Sequence, residues 1–129
     1  MEINPSDCLY HKDHLWVKLD GEVEAWIGAT EHAQESLGEV IYIECPAVNG
    51  EIKQGVSFGN IESSKVSSEL ISPISGVVVS VNQNATDEPS YVNRDPYRDG
   101  WILKVRIADV SELNELMSAE QYEHYLKSN

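Results

Sequence analysis

The chain has 129 residues, 41% of them hydrophobic, with three Trp and six Tyr; this suffices for one domain with a buried core and argues against disorder. Twenty-two acidic residues against nine basic give a formal net charge of -13, which repels phosphate backbones and anionic lipid and speaks against nucleic acid or a membrane as partner. No stretch approaches the roughly 20 apolar residues of a membrane span, and the amino terminus lacks a basic, hydrophobic signal segment, so a cytoplasmic protein is expected.

Strand signals dominate the first half. Leu15 to Leu19 alternates, Asp20-Gly21 makes a turn and Val23 to Ile27 returns, which predicts a hairpin. Thr30 is placed to cap a short helix, with Glu31 in its first turn, where the helix dipole favours a negative charge, and Gly38 closing it. Val40 to Ile43 is a further strand, ended by Cys45-Pro46. Asn49-Gly50 carries a hairpin-turn signature and Gln54-Gly55 a second turn.

The run from Val56 to Ile61 enters a polar patch, Glu62-Ser63-Ser64-Lys65-Val66-Ser67-Ser68-Glu69. A second run leaves it through Ile71-Ser72-Pro73-Ile74 to Ser75-Gly76 and Val77 to Val81. This pattern predicts a hairpin with Lys65 at its tip. A lysine held out on a tight turn between small serines suits an enzyme that acylates one amine.

From Asn82 to Gly100 the chain is polar and Pro-containing, a long connection with room for one helical turn. Trp101 to Ile107 alternates again as a closing strand. The tail from Ser111 to Leu126 reads as helical. Ser111 is placed to cap a first short helix, and Ser118-Ala119-Glu120-Gln121 forms a capping box for a second whose apolar stripe is Tyr122, Tyr125 and Leu126. Glu112, Glu115, Glu120 and Glu123 give these helices an acidic, solvated face. Many short strands with frequent turns predict a mainly β sandwich or barrel with helices appended.

Cys8 and Cys45 stand 37 residues apart with no metal-ligand spacing near them, and each reads as a small buried or half-buried hydrophobe. His11, His14, His32, His124 and Cys8 could in principle supply a nucleophile and base. No nucleophile elbow, phosphate loop or metal motif supports an enzyme, and His14 and His32 read as surface or packing residues.

Glu62-Ser63-Ser64-Lys65, followed by Ser72-Pro73-Ile74-Ser75-Gly76 and Val81-Asn82, resembles the lipoyl-attachment region of the glycine cleavage system H protein family. Other stretches stand in the family's order. They are His14-x-Trp16-Val17, Ile27-Gly28-x-Thr30-x-x-Ala33-Gln34-x-x-Leu37-Gly38-Glu39, Asp87-Glu88-Pro89 and Val92-Asn93-x-Asp95-Pro96-Tyr97-x-x-Gly100-Trp101.

The resemblance implies the biotinyl/lipoyl-like hammerhead fold, a flattened β-sandwich or barrel-sandwich hybrid with peripheral helices. Residues 1–129 would be a single lipoyl-carrier domain, with the lipoyl hairpin at about 56–81 and the carboxy-terminal helices at about 111–127. It implies lipoic acid in amide linkage on Lys65, with Glu62, Ser63, Ser64, Val66 and Glu69 as recognition context, and a carrier rather than an enzyme. Such an arm reaches roughly 14 Å from Cα to the dithiolane ring, from bond lengths alone. The implied partners are a pyridoxal-phosphate glycine decarboxylase that loads an aminomethyl group, an aminomethyltransferase, a dihydrolipoyl dehydrogenase, and the lipoate ligase or octanoyl/lipoyl transferase that installs the cofactor. A biotin carrier would resemble a Met-Lys-Met pattern, which is missing here.

The chain departs from the family at Leu15. The family reads His-Glu-Trp, and its glutamate helps hold the charged aminomethyl arm in a cleft; leucine supplies no carboxylate, although Glu69 stands where the family often carries an aspartate. A carrier of sulfur-bound intermediates, working with a heterodisulfide-reductase-like complex in sulfur oxidation, or a protein of lipoate relay, has no amine to hold. Those readings, and that of an interaction module docking through its acidic surface, stand beside glycine cleavage.

Overall fold

The alternation read along the chain folds into two antiparallel sheets facing one another, in a computed structural model that describes residues 3–128. The larger sheet runs β1 (Leu9–Tyr10), β2 (Leu15–Asp20), β3 (Glu24–Ala29), β9 (Leu103–Ile107), β8 (Gly76–Val81) and β5 (Glu51–Ile52). The smaller is β4 (Val40–Glu44), β6 (Ser57–Ser63) and β7 (Ser67–Ile71), in that order. Between the sheets pack the inward residues of both, among them Val17 and Ile27 from one side, Ile61 and Leu70 from the other, and Val78 and Val105 closing the centre. This is the sandwich geometry that period-two patterning demands.

A second, smaller core lies elsewhere. Cys8, Tyr10, Trp16 and Tyr122 are all buried together, the last from helix α4 (Ala119–Ser128). Trp16 alternates with its inward neighbours Leu15 and Val17, which belong to the main core, so its indole falls on the other face of β2. There its Nε1 donates to the carbonyls of Ala29 and Pro96, both at 3.0 Å. Gly28 is required beneath it, because a Cβ there would stand 2.5 Å from the indole Cζ2. Tyr10 stacks on Tyr122 with centroids 4.7 Å apart, and paired backbone bonds between Tyr10 and Met117, both 2.8 Å, tie the tail to the amino-terminal strand.

The first hairpin, the Thr30 cap and the Ser118 capping box form as the residues predict. Thr30 Oγ1 accepts from Ala33 N at 3.1 Å, Gly38 adopts φ +82 as it closes α1 (Glu31–Leu37), and Ser118 and Gln121 exchange reciprocal bonds of 3.1 and 2.9 Å.

Four expectations change. Asn49-Gly50 is a turn, with Asn49 at φ +74, but it carries the chain from one sheet to the other: β4 pairs with β6 and β5 with β8, so no hairpin forms there. The connection from Asn82 to Gly100 holds two short helices rather than one turn, α2 (Gln83–Asp87) and α3 (Ser90–Arg94). They are secured by buried Asn82, whose Nδ2 donates to the carbonyls of Asp99 and Trp101 at 2.8 and 2.7 Å. Ser111 lies inside a 3-10 helix, Val110–Glu115, whose cap is Asp109; that carboxylate accepts from Ser111 N at 3.0 Å. Glu112 is not simply solvated, since its carboxylate accepts from Ser75 N and Ser75 Oγ at 2.7 and 2.8 Å.

Candidate functional site

Strands β6 and β7 pair from Ser57↔Ile71 to Glu62↔Ser67 and leave Ser63 to Val66 as the turn. One side chain organises it. Ser63 is nearly buried, and its Oγ accepts from both Lys65 N and Val66 N at 3.1 Å while its own N donates to Val66 O at 2.8 Å. A serine hydroxyl that takes up two turn amides fixes the backbone that would otherwise need water. Ser64 N reaches Glu39 O at 3.3 Å and moors the tip to the connection after α1.

Lys65 is exposed, and its ammonium has no ion-pair or hydrogen-bond partner among the described residues. Its Cε passes 4.0 Å from the point where a Cβ on Gly38 would stand, so the absence of a side chain at the helix end leaves the lysine room. The mooring segment is held in turn by Asn93 of α3. Its Oδ1 accepts from Val40 N at 2.9 Å, and its Nδ2 donates to Gln34 Oε1 at 2.9 Å and Gly38 O at 2.8 Å.

Of the other residues expected around the lysine, Ser64 and Val66 flank it in the open. Glu62 lies one step down the hairpin, half-buried between Tyr42 and Ser67. A bulge between Val40 and Tyr42 turns Ile41 and Tyr42 outward together, at 56% and 50% exposure, where strict alternation would have buried one of them.

Glu69 belongs to a different feature. It lines an open cleft of about 330 Å³ whose one wall is the stretch from Val66 to Leu70 and whose other wall is built by the loop before β2 and by α1. Leu15, Ala33, Leu37, Ile61 and Leu70 give it an apolar floor, and two carboxylates, Asp13 and Glu69, stand among its lining residues. Leu15 is 3% exposed and belongs to the main core while lining this cleft, so its packing role is real.

His14 and His32, read from sequence as surface or packing residues, meet in the cleft with ring centroids 4.4 Å apart. His14 has φ +71, a left-handed conformation uncommon outside glycine. Burial first, and then the neighbouring His32, hold its pKa below the usual imidazole value. Neither thiol lines the cleft: Cys8 is buried and Cys45 half-buried, and burial pushes their pKa values up to about 12 and about 11. Among the described residues no group of three or more His, Cys, Asp or Glu converges on a metal position, and no described helix is long and apolar enough to cross a membrane.

Comparison with known proteins agrees with this geometry. The family model described as glycine cleavage H-protein matches residues 8–129. A glycine cleavage system H protein of Carboxydothermus hydrogenoformans is 46% identical over 127 residues, covering 98% of this chain and 97% of its own. One of Clostridioides difficile is 52% identical over 115 residues, covering 88% and 90%. Among solved structures, a glycine cleavage system H protein from Mycobacterium marinum superposes with a TM-score of 0.88 at 34% identity, over 95% of this chain and 98% of that one. A family match over nearly the whole chain, with relatives of this identity and a shared fold, means that the chain belongs to the glycine cleavage H-protein family.

Proposed function

We propose that the protein is the lipoyl carrier of a glycine cleavage system, with lipoate in amide linkage on Lys65. One observation carries the reading: a lysine whose ammonium has no partner among the described residues, on a serine-pinned turn beside a cleft whose lining joins apolar surface to two carboxylates. The residues fit the group. An exposed amine at a pinned tip can enter the active site of a lipoate ligase or an octanoyl/lipoyl transferase, and acylation breaks no ion pair among the described residues.

When attached, the dithiol supplies a reversible thiol anchor for a one-carbon amine unit, the chemistry being the cofactor's own. The chain's residues present the anchor and shelter what it carries. Leu15, Ala33, Leu37 and Leu70 suit an aliphatic chain, and Asp13 and Glu69 suit a cation. These carboxylates favour an amine cargo over the sulfur-bound cargo of a heterodisulfide-reductase-like pathway, because they offset the missing glutamate at Leu15. The carrier reading brings with it the pyridoxal-phosphate decarboxylase, the aminomethyltransferase and the dihydrolipoyl dehydrogenase as partners, and a cytoplasmic setting.

The test is intact mass with peptide mapping on protein from its native host, beside a Lys65→Arg variant. A lipoyl increment on the peptide bearing Lys65, and a folded variant that supports no glycine-dependent turnover in the reconstituted system, are expected. An unmodified Lys65 in a host that lipoylates its other proteins would overturn the reading.

A further inference from the structure

His14 is held by a chain of hydroxyl groups whose proton positions can be worked out. Thr30 is fully buried, and its Oγ1 already accepts from Ala33 N at 3.1 Å as the cap of α1. Its own hydroxyl proton needs an acceptor, and the remaining partner of Thr30 Oγ1 among the described residues is Tyr122 Oη at 3.0 Å. Thr30 therefore donates to Tyr122. Tyr122 is also fully buried, burial pushes its pKa up to about 12, and it remains a neutral phenol with one proton to give. That proton goes to His14 Nδ1, 2.7 Å away. Nδ1 is thus an acceptor, and the ring carries its proton on Nε2.

A proton added to this ring must go on Nδ1, where it meets the Tyr122 proton head on. The phenol has to turn towards Thr30, whose own proton then loses its acceptor in a dry site. The relay opposes protonation on geometric grounds alone. The groups facing His14 act in both directions. His32 from α1 opposes a second positive charge, as does His11 from its own loop, whereas Asp13 favours one. Tyr122 and Tyr125 pack from α4, with Tyr125 at 6.4 Å between centroids, and Glu69 stands on the opposite wall. A left-handed backbone at His14, fixed by bonds from His14 N to His11 O and from Thr30 N to His14 O, keeps the ring in register with the relay.

We propose that His14 is a positioning residue of the cleft, locked neutral with its proton on Nε2 by the Thr30–Tyr122 relay, so that the cleft accepts a cationic cargo at neutral pH and expels it when the ring is protonated. This rests on the carrier reading of Lys65 and the cleft. A neutral imidazole leaves the carboxylate of Glu69, and that of Asp13 although it lies 3.4 Å from His11 Nδ1, to attract an ammonium group. An imidazolium beside the same group repels it, and across about 6 Å of partly screened cleft that repulsion is worth roughly tenfold in retention.

Two measurements on the full chain separate the proposal from its foundation. Imidazole NMR on the unlipoylated protein reads tautomer and titration directly. The proton of His14 is expected on Nε2, and Tyr122→Phe, which keeps the ring packing and deletes the donor, should raise the His14 midpoint by roughly 0.5–1 pH unit. His32→Gln, at an exposed position, should raise it as well. The second measurement follows formaldehyde release from lipoylated protein loaded chemically with formaldehyde and ammonium ion, across pH 5 to 8. Release relative to a free dihydrolipoamide adduct should step up below neutrality in the wild type. The step should move to higher pH with Tyr122→Phe and disappear with His14→Asn.

A proton found on Nδ1 would overturn the relay. A release profile that stays in place while the His14 midpoint moves would overturn the role in retention. Wild-type release equal to that of the free adduct at every pH would sink the sheltering cleft itself.

Discussion

Asn93 offers the sharpest test of how the lysine is held. Replacing it with alanine removes three hydrogen bonds of 2.8–2.9 Å that join α3, the end of α1 and the start of β4. Val40 is 3% exposed, so its N–H is left dry, and an unsatisfied buried amide costs about 1–3 kcal/mol. The other two acceptors are half-buried and recover part of their loss from water. The sum is about 2–3 kcal/mol, or a fall in Tm of about 8–12 °C for a chain of this size. Asn93→Asp makes the argument chemical. It keeps the acceptor for Val40 N but puts a carboxylate oxygen against Gln34 Oε1 and Gly38 O, and Gln34 cannot simply flip because its Nε2 donates to Glu31 Oε1 at 2.6 Å. The aspartate variant should therefore be at least as unstable as the alanine one at neutral pH. Thermal and urea unfolding check both, and amide exchange at Ser64, moored to Glu39 O, should quicken in both. A Tm within about 2 °C of wild type for Asn93→Ala would refute the reasoning, because relaxation or water would then be satisfying Val40 unaided.

Leu15→Glu adds a carboxylate to the cleft floor, at a position only 3% exposed, and should slow loss of a loaded amine by at least the roughly two- to five-fold of an exposed ion pair; an unchanged release rate counts against an amine-holding cleft. Both thiols should be inert in the folded protein at pH 7.5, since burial leaves little thiolate at either. Ellman's reagent should titrate them only in denaturant, and rapid stoichiometric labelling of the native protein would contradict the burial argument. Stability should fall on acidification from about pH 7 to pH 5. His11 and His14 have folded pKa values below their unfolded value of ~6.5, chiefly through burial, so the unfolded chain takes up protons first and the stability present above that value is lost as pH falls through the folded pKa. Urea midpoints at three pH values test this, and a midpoint that rises in acid is the contrary result.

The hairpin bearing Lys65 was legible because its signals are local: two β-rich runs, a polar patch and glycines on both sides. The Thr30 cap and the Ser118 box were legible for the same reason, each depending on residues no more than three apart. The histidine pair was not, although its ingredients were. A hairpin from Leu15 to Ala29 in register sets His14 opposite Thr30, and the second residue of the capped helix, His32, comes over it. What no local pattern reveals is that α4 folds back to place a phenol between His14 and Thr30, because its contact with His14 spans 108 residues. The same limit hid the change of sheet after Asn49-Gly50. A turn signature fixes the bend, and which strands then pair is decided by the core that both sheets share.

Ser63 has a kinetic consequence. By taking up the amides of Lys65 and Val66 it pins the turn at the proposed attachment point, so a lipoyl tether of roughly 14 Å on Lys65 would sweep a small, constant shell. Any surface within that shell meets the tethered group at an effective concentration of roughly millimolar or above. An intrinsic dissociation constant of about 0.1 mM would then keep the cleft filled some nine-tenths of the time against about 1 mM of tethered group. A partner needs only a modestly better surface, about 1.4 kcal/mol for each tenfold, to draw the cargo out. With the pivot pinned by Ser63, weak affinity is enough for safekeeping and remains weak enough for release.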